Sequence, residues 1–160
     1  MNPNEWPNGY RFFPSLAVSR GRYALRPITW EDRTYIRRWR NEQISVLRQQ
    51  EPLSLKEQNQ YFRDVVATQM HLPKPAQVLV GYLEDDSLVG YGGLVHILWD
   101  KRSAEVSFLL SPQYVTPEET YRQYHLQFLT LIKELAFAQL GFLELTTETY
   151  AHRVAHMRNP

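Results

Sequence analysis

The sequence predicts an α/β fold of the α+β kind: a mixed, mainly antiparallel sheet flanked by helices. Three observations lead there. Residues 88–112, LVGYGGLVHILWDKRSAEVSFLLSP, read as two strands joined by the polar turn Asp100-Lys101-Arg102-Ser103. Helix-start signatures stand both before and after that pair. The whole order is strand, helix, helix, three strands, helix, strand, helix, which packs as layers of helix on sheet.

The elements follow in order. Residues 1–19 hold three prolines together with Trp6, Tyr10, Phe12 and Phe13. They predict an irregular strap whose aromatics pack on the body of the domain or on a second subunit, while 20–160 form a single domain. Residues 22–28 read as a first strand. Thr29-Trp30-Glu31-Asp32 is a capping-box pattern that starts a helix, with Tyr35, Ile36 and Trp39 on its apolar face and four arginines over much of the rest. Ser54-Leu55-Lys56-Glu57 opens a second helix, and Pro73 and Pro75 close it.

Residues 78–83 form a strand, and Glu84-Asp85-Asp86-Ser87 turns into the pair described above. The first strand of that pair is apolar or Gly at nearly every position, so it is covered on both faces. In the second, Ala104, Val106, Phe108 and Leu110 share one face, and Glu105, Ser107 and Leu109 the other. A long helix begins at Thr116-Pro117-Glu118-Glu119, with the Thr as cap and Pro in first position, and stops at Gly141. Residues 143–149 are one more strand, and a last helix starts at Ala151.

Composition bounds the chemistry. At 160 residues the chain holds one substantial core. The net charge of +1, with 18 basic against 17 acidic side chains, gives no basic field for nucleic acid. The absence of cysteine removes disulfides, thiolate nucleophiles and thiolate metal sites, and suits a cytoplasmic enzyme. No segment has the length of a membrane span or the character of a signal peptide. No Walker loop, nucleophile elbow or dinucleotide fingerprint occurs. His152 and His156 have the i, i+4 spacing of paired metal ligands but no evident third ligand, so no metal site is expected. His96 reads as a packed, hydrogen-bonded histidine of an apolar strand. Glu105 stands out because a carboxylate in such a strand is costly to bury unless it is paired, solvated or protonated.

Several segments in their order resemble the GNAT N-acetyltransferase family over roughly residues 23–156. They are LRPIT with the later Trp39-Arg40-Asn41, then GYGGLVHI, AEVSFLLSP and KELAFAQLGFLELTTETYAHR. Within the family the chain looks most like bacterial enzymes that acetylate protein N-termini or sugar-linked amines. The resemblance implies acetyl transfer from acetyl-CoA to a primary amine of a small molecule or a protein N-terminus, in the cytoplasm. A non-catalytic GNAT-like binding or oligomerisation module is the alternative.

The resemblance also implies residue roles. Glu105 matches a frequent base position, against the plainer reading of a strand glutamate solvated or paired with Arg102. The backbone of Phe108, Leu109 and Leu110 corresponds to the splayed strand that binds the pantetheine arm and polarises the thioester. Arg122, Gln123 and Tyr124 fall where the family places its glycine-rich pyrophosphate loop, and no glycine is present there. Trp39, Asn41, Tyr61 and Trp99 are candidates for an acceptor pocket, against ordinary core packing for the aromatics. The family's sheet continues for two strands beyond the point where this chain stops. C-terminal strands are therefore expected to be missing, and an open sheet edge or the strap is expected to hold a homodimer or larger homo-oligomer.

Overall fold

The computed structural model describes residues 5–44, 47, 51–148 and 154–159, with the backbone alone for Glu148 and residues 154–156. One seven-stranded sheet runs through it in chain order: β1 (Val18–Arg20), β2 (Tyr23–Pro27), β3 (Val78–Glu84), β4 (Ser87–Leu98), β5 (Ser103–Leu110), β6 (Glu144–Glu148) and β7 (Val154–Arg158). Every neighbouring pair is antiparallel except β5–β6, which is parallel. The mixed, mainly antiparallel sheet expected from the sequence is therefore present.

Two strands lie outside the expectation. β1 is three residues long and pairs with β2 from Val18↔Leu25 to Arg20↔Tyr23, so the strap ends inside the sheet. At the other end the expected last helix is a strand. β7 pairs with β6 over five positions, from Glu144↔Arg158 to Glu148↔Val154. The reason is backbone satisfaction: β6 needs a partner for its outer edge, and five ladder pairs outweigh the weak propensity of a short terminal helix. The sheet thus does not stop at β6, as the expectation of lost C-terminal strands required. His152 lies outside the described residues, as does the side chain of His156, and at residue 156 the helical spacing is replaced by strand geometry.

α1 (Asp32–Glu42), α2 (Leu55–Tyr61), a π-helical turn (Phe62–Val66) and α3 (Ala67–Met70) cover one face. α4 (Glu118–Lys133) and its π-helical extension (Glu134–Gln139) cover the other. The capping box at Ser54 forms in full: Glu57 N donates to Ser54 Oγ at 3.1 Å, and Ser54 N donates to Glu57 Oε1 at 3.2 Å. At α1 only the reciprocal half is made, with Thr29 N donating to Asp32 Oδ2 at 2.9 Å. The buried Asp32 is also held by Arg26 through two bonds of 2.6 and 3.0 Å. α4 differs from expectation in its start. Pro117 occupies the cap position, and no side chain caps the helix.

The strap packs on its own domain rather than standing open. Trp6 lies 5.8 Å from both Trp30 and Phe62 and donates Nε1–H to the Ile28 carbonyl. Tyr10 is buried, its hydroxyl accepting from Leu79 N at 2.7 Å and donating to Leu79 O at 3.2 Å. β2 ends one residue short of pairing with Leu79, and the tyrosine supplies the bond the strand does not. Beneath α4 the core is aromatic, with Tyr82, Phe108 and Phe128 at centroid distances of 4.6 to 6.1 Å.

Candidate active site

A cavity of about 460 Å³ lies between α1–α2 and the sheet. That volume suits a small molecule. Its floor is the face of β3, β4 and β5 carrying Leu79, Tyr91, Val95 and Ser107. Gly93, between Tyr91 and Val95, pairs with both Leu79 and Ser107. It has φ +143°, and a Cβ there would collide with the Val78 carbonyl oxygen. Only glycine fits this backbone, and the missing side chain keeps the floor low.

Glu105 belongs to this face. It is two residues from Ser107 on β5 and pairs across the strands with Val95. Its side chain is 38 % exposed, so it is neither sealed in the core nor freely solvated. Beside it stands His96, with Nε2 3.8 Å from Glu105 Oε2. The structure corrects the reading of His96 as a packed core residue. It sits in a break of the β4–β5 register with φ +50° and points into solvent.

β5 runs on past its parallel neighbour. The last β5–β6 pair among the described residues is Val106↔Thr147, whereas β5 continues to Leu110. Ser111 N donates to Val89 O at 2.8 Å, which sets the alternation of the β4–β5 ladder. In that alternation Leu109 directs its backbone groups to Tyr91 of β4, and Phe108 and Leu110 direct theirs to the open side. Of the three positions singled out from the sequence, Phe108 and Leu110 thus carry the available backbone. The Leu110 carbonyl accepts from Gln43 Nε2 at 3.0 Å, tying the end of α1 to this opening. The Phe108 ring faces the other way, 5.1 Å from His125 and 4.6 Å from Phe128.

The acceptor candidates separate. Tyr61 lines the cavity, and its hydroxyl accepts from Gln77 Nε2 at 3.4 Å. Trp39 is 3 % exposed and belongs to the core. Asn41 acts indirectly: it donates Nδ2–H to Leu53 O at 3.0 Å and accepts from Leu53 N at 2.8 Å, fixing a lining residue. Trp99 stands elsewhere, 5.4 Å from Phe12 and from Phe142, with Nε1–H on the Pro75 carbonyl.

Arg122, Gln123 and Tyr124 lie within α4 rather than in a loop before it. Arg122 is exposed and 3.3 Å from Glu118. Tyr124 donates its hydroxyl to Glu84 Oε1 at 2.8 Å and lends its carbonyl to the Tyr82 hydroxyl. Burial first, then the Glu84 carboxylate, pushes the Tyr124 hydroxyl well above the usual tyrosine range. The first turn of α4 bears Glu118 and Glu119, so its N-terminal dipole already faces negative charge.

Sequence reasoning missed the cavity's polar wall. Arg40 donates Nη1–H to the Tyr91 hydroxyl at 3.1 Å, and both residues line the space. Burial raises the Tyr91 pKa and Arg40 offsets part of that rise, so the hydroxyl keeps its proton at neutral pH. Glu57 lies on the same lining, with its carboxylate held below the usual range by the side chain and backbone N–H of Ser54. Among the described residues no group of three or more His, Asp or Glu side chains is disposed around a metal position, and no helix is long and apolar enough to cross a membrane.

Residues 25–158 match the family model described as an acetyltransferase (GNAT) domain. No curated protein matches the sequence. Among solved structures, the fold is similar to that of spermidine N-acetyltransferase from Vibrio cholerae in complex with CoA and spermine. The TM-score is 0.64 at 16% identity, over 80% of this chain and 71% of that one. It is also similar to a dodecameric structure of the Vibrio cholerae enzyme in an intermediate state (TM-score 0.62, 18% identity, 80% and 70% of the two chains). A K23-Q34 chimera of that enzyme with hSSAT gives a TM-score of 0.61 at 18% identity, over 79% and 69%. At these identities the likeness is one of fold.

Proposed function

Since the chain belongs to the GNAT acetyltransferase family, whose cosubstrate is acetyl-CoA, we propose that it acetylates a primary amine of a small molecule held in the cavity under α1 and α2. The observation that carries this is the position of Glu105. It shares the cavity's face of β5 while the same strand, two to five residues on, runs past β6 with the backbone of Phe108 and Leu110 turned to the open side.

Each part has a chemical task. An alkylammonium of pKa about 10 must lose a proton before it can attack. Glu105 takes that proton, directly or through water. The amine nitrogen then bonds to the thioester carbonyl carbon, and the oxyanion that forms is stabilised by backbone N–H at the open end of β5. Collapse breaks the carbon–sulfur bond, the nitrogen gives up its second proton, which passes through water to the departing coenzyme thiolate, and the amide and the free thiol are released. Tyr61 and the Asn41-anchored Leu53 shape the acceptor side. The α4 start has no glycines, and Arg122 would have to leave Glu118 to meet the coenzyme's pyrophosphate.

The reading extends to assembly and place: a homo-oligomer in the cytoplasm. One structural relative is dodecameric, and the sheet ends in edge strands on both sides. The deciding experiment is thermal. Millimolar acetyl-CoA should raise the melting temperature, because a ligand that binds the folded state alone stabilises it. An unchanged melting temperature, with no coenzyme release in the presence of amines, would remove this function.

A further inference from the structure

The polar wall of the cavity carries a guanidinium, Arg40, and two tyrosine hydroxyls, Tyr61 and Tyr91. Arg40 donates to Tyr91, and among the described residues no carboxylate pairs with it. The other arginines of α1 are engaged elsewhere. Arg33 bonds Asn59 Oδ1 and the Trp30 carbonyl, Arg37 the Leu53 carbonyl, and Arg38 lies 3.8 Å from Glu42. Glu57 turns one carboxylate oxygen to the α2 cap, where it accepts from Ser54 N. The Tyr91 hydroxyl accepts from Arg40, and the Tyr61 hydroxyl accepts from Gln77, so each keeps its own proton to give. A guanidinium and two hydroxyl donors therefore converge on one space walled by Ile36, Phe62 and Leu79.

We propose that the acceptor is an amine that also carries a carboxylate on an apolar body, an apolar amino acid in chemical class, and that Arg40 is the residue that selects it. The carboxylate docks on Arg40 and the hydroxyls of Tyr61 and Tyr91, its planar oxygens matching the guanidinium fork. The apolar wall takes the rest of the molecule, and the amine is left for Glu105. A polyamine would instead bring a second ammonium group toward Arg40, like charge against like. This inference rests on the proposed acetyl transfer, and it is tested so that the two can fail separately.

The probes are matched pairs, L-phenylalanine with 2-phenylethylamine and L-leucine with 3-methylbutylamine, together with spermidine. Binding is measured first without coenzyme, by chemical-shift perturbation, and kcat/KM is then measured with acetyl-CoA. The acid of each pair should bind and react roughly 10–100-fold better than its amine, the worth of a charged hydrogen bond. Arg40→Met and, independently, Tyr91→Phe should pull that ratio toward one. The second variant keeps the test decisive if the first folds poorly. Amines that bind as well as their acids, a preference for spermidine, a ratio that survives Arg40→Met, or no binding of either amino acid at about 10 mM would each overturn the proposal. Failure of acetyl-CoA to bind would sink the transfer reaction and leave the carboxylate preference standing.

Discussion

Nε2 of His96 lies 3.8 Å from Oε2 of Glu105, and the two side chains are 80 % and 38 % exposed. A carboxylate that accepts an ammonium proton must pass it on before the next turnover. The register break in β4 leaves the His96 imidazole exposed and next to Glu105, placed to pass such a proton to solvent. Glu105→Gln is expected to lower kcat by about 10²–10⁴-fold, the range for loss of a general base, with coenzyme affinity unchanged. His96→Gln is expected to lower it less, and the double variant should be no worse than Glu105→Gln alone, because residues that act as a unit are non-additive. Steady-state kinetics of the three variants checks this; full activity in Glu105→Gln would reject the base assignment.

The strap makes a separate prediction about stability. Tyr10→Phe removes the acceptor of the Leu79 N–H bond in a buried place. The Leu79 carbonyl keeps its bond from Ile28 N at 3.2 Å, so one group is orphaned. An unsatisfied buried donor costs about 1–3 kcal/mol. For a chain of this size that is a melting temperature lower by roughly 2–10 °C. Calorimetry on the single variant reads it, and a change within a degree would show that the strap is not anchored through this hydroxyl.

What the sequence made legible was local. The capping box at Ser54 needs four residues in a row, and both of its bonds are present. The turn into β4 places Asp85 and Asp86 at positive φ, a conformation that Asp tolerates and a tight hairpin demands. The alternation of β5 assigned Glu105 and Ser107 to one face. What remained hidden depends on partners distant in the chain. β7 is a strand because β6 needs a neighbour, not because its five residues insist on it. Arg33, Arg37, Arg38 and Arg40 look alike in the sequence, and only the packing of α1 on β4 shows that Arg40 is the one that meets Tyr91. Trp99 is an aromatic like Tyr61, yet the fold sends it to Phe12 and Phe142.

Assembly gives a third prediction. β1 and β7 are the two edges of the sheet, and Leu143, just before β6, is exposed. With the strap folded onto the body, the β7 edge is the surface expected to pair between copies. Light scattering at micromolar concentration should give a multiple of 19.0 kDa, and the β7 amides should exchange slowly. A monodisperse monomer would reject the homo-oligomer.

The last prediction concerns pH. His125 lies on α4 with its ring 5.1 Å from Phe108 and 5.8 Å from Tyr121, and burial lowers its pKa below the ordinary 6.5. The unfolded chain therefore binds this proton more readily than the folded one. The unfolded state carries the excess of protons between the two pKa values, so stability rises with pH across that window. Read downward, stability is lost as pH falls below about 6.5 and the loss levels off once the folded pKa is passed. Replacing His125 by Phe keeps a flat ring against Phe108 and removes the titration. Thermal unfolding of both proteins from pH 7.5 to 5 should show a shallower fall for His125→Phe. Parallel curves would mean that His125 titrates alike in both states, and that its packing against β5 does not exclude the charged form.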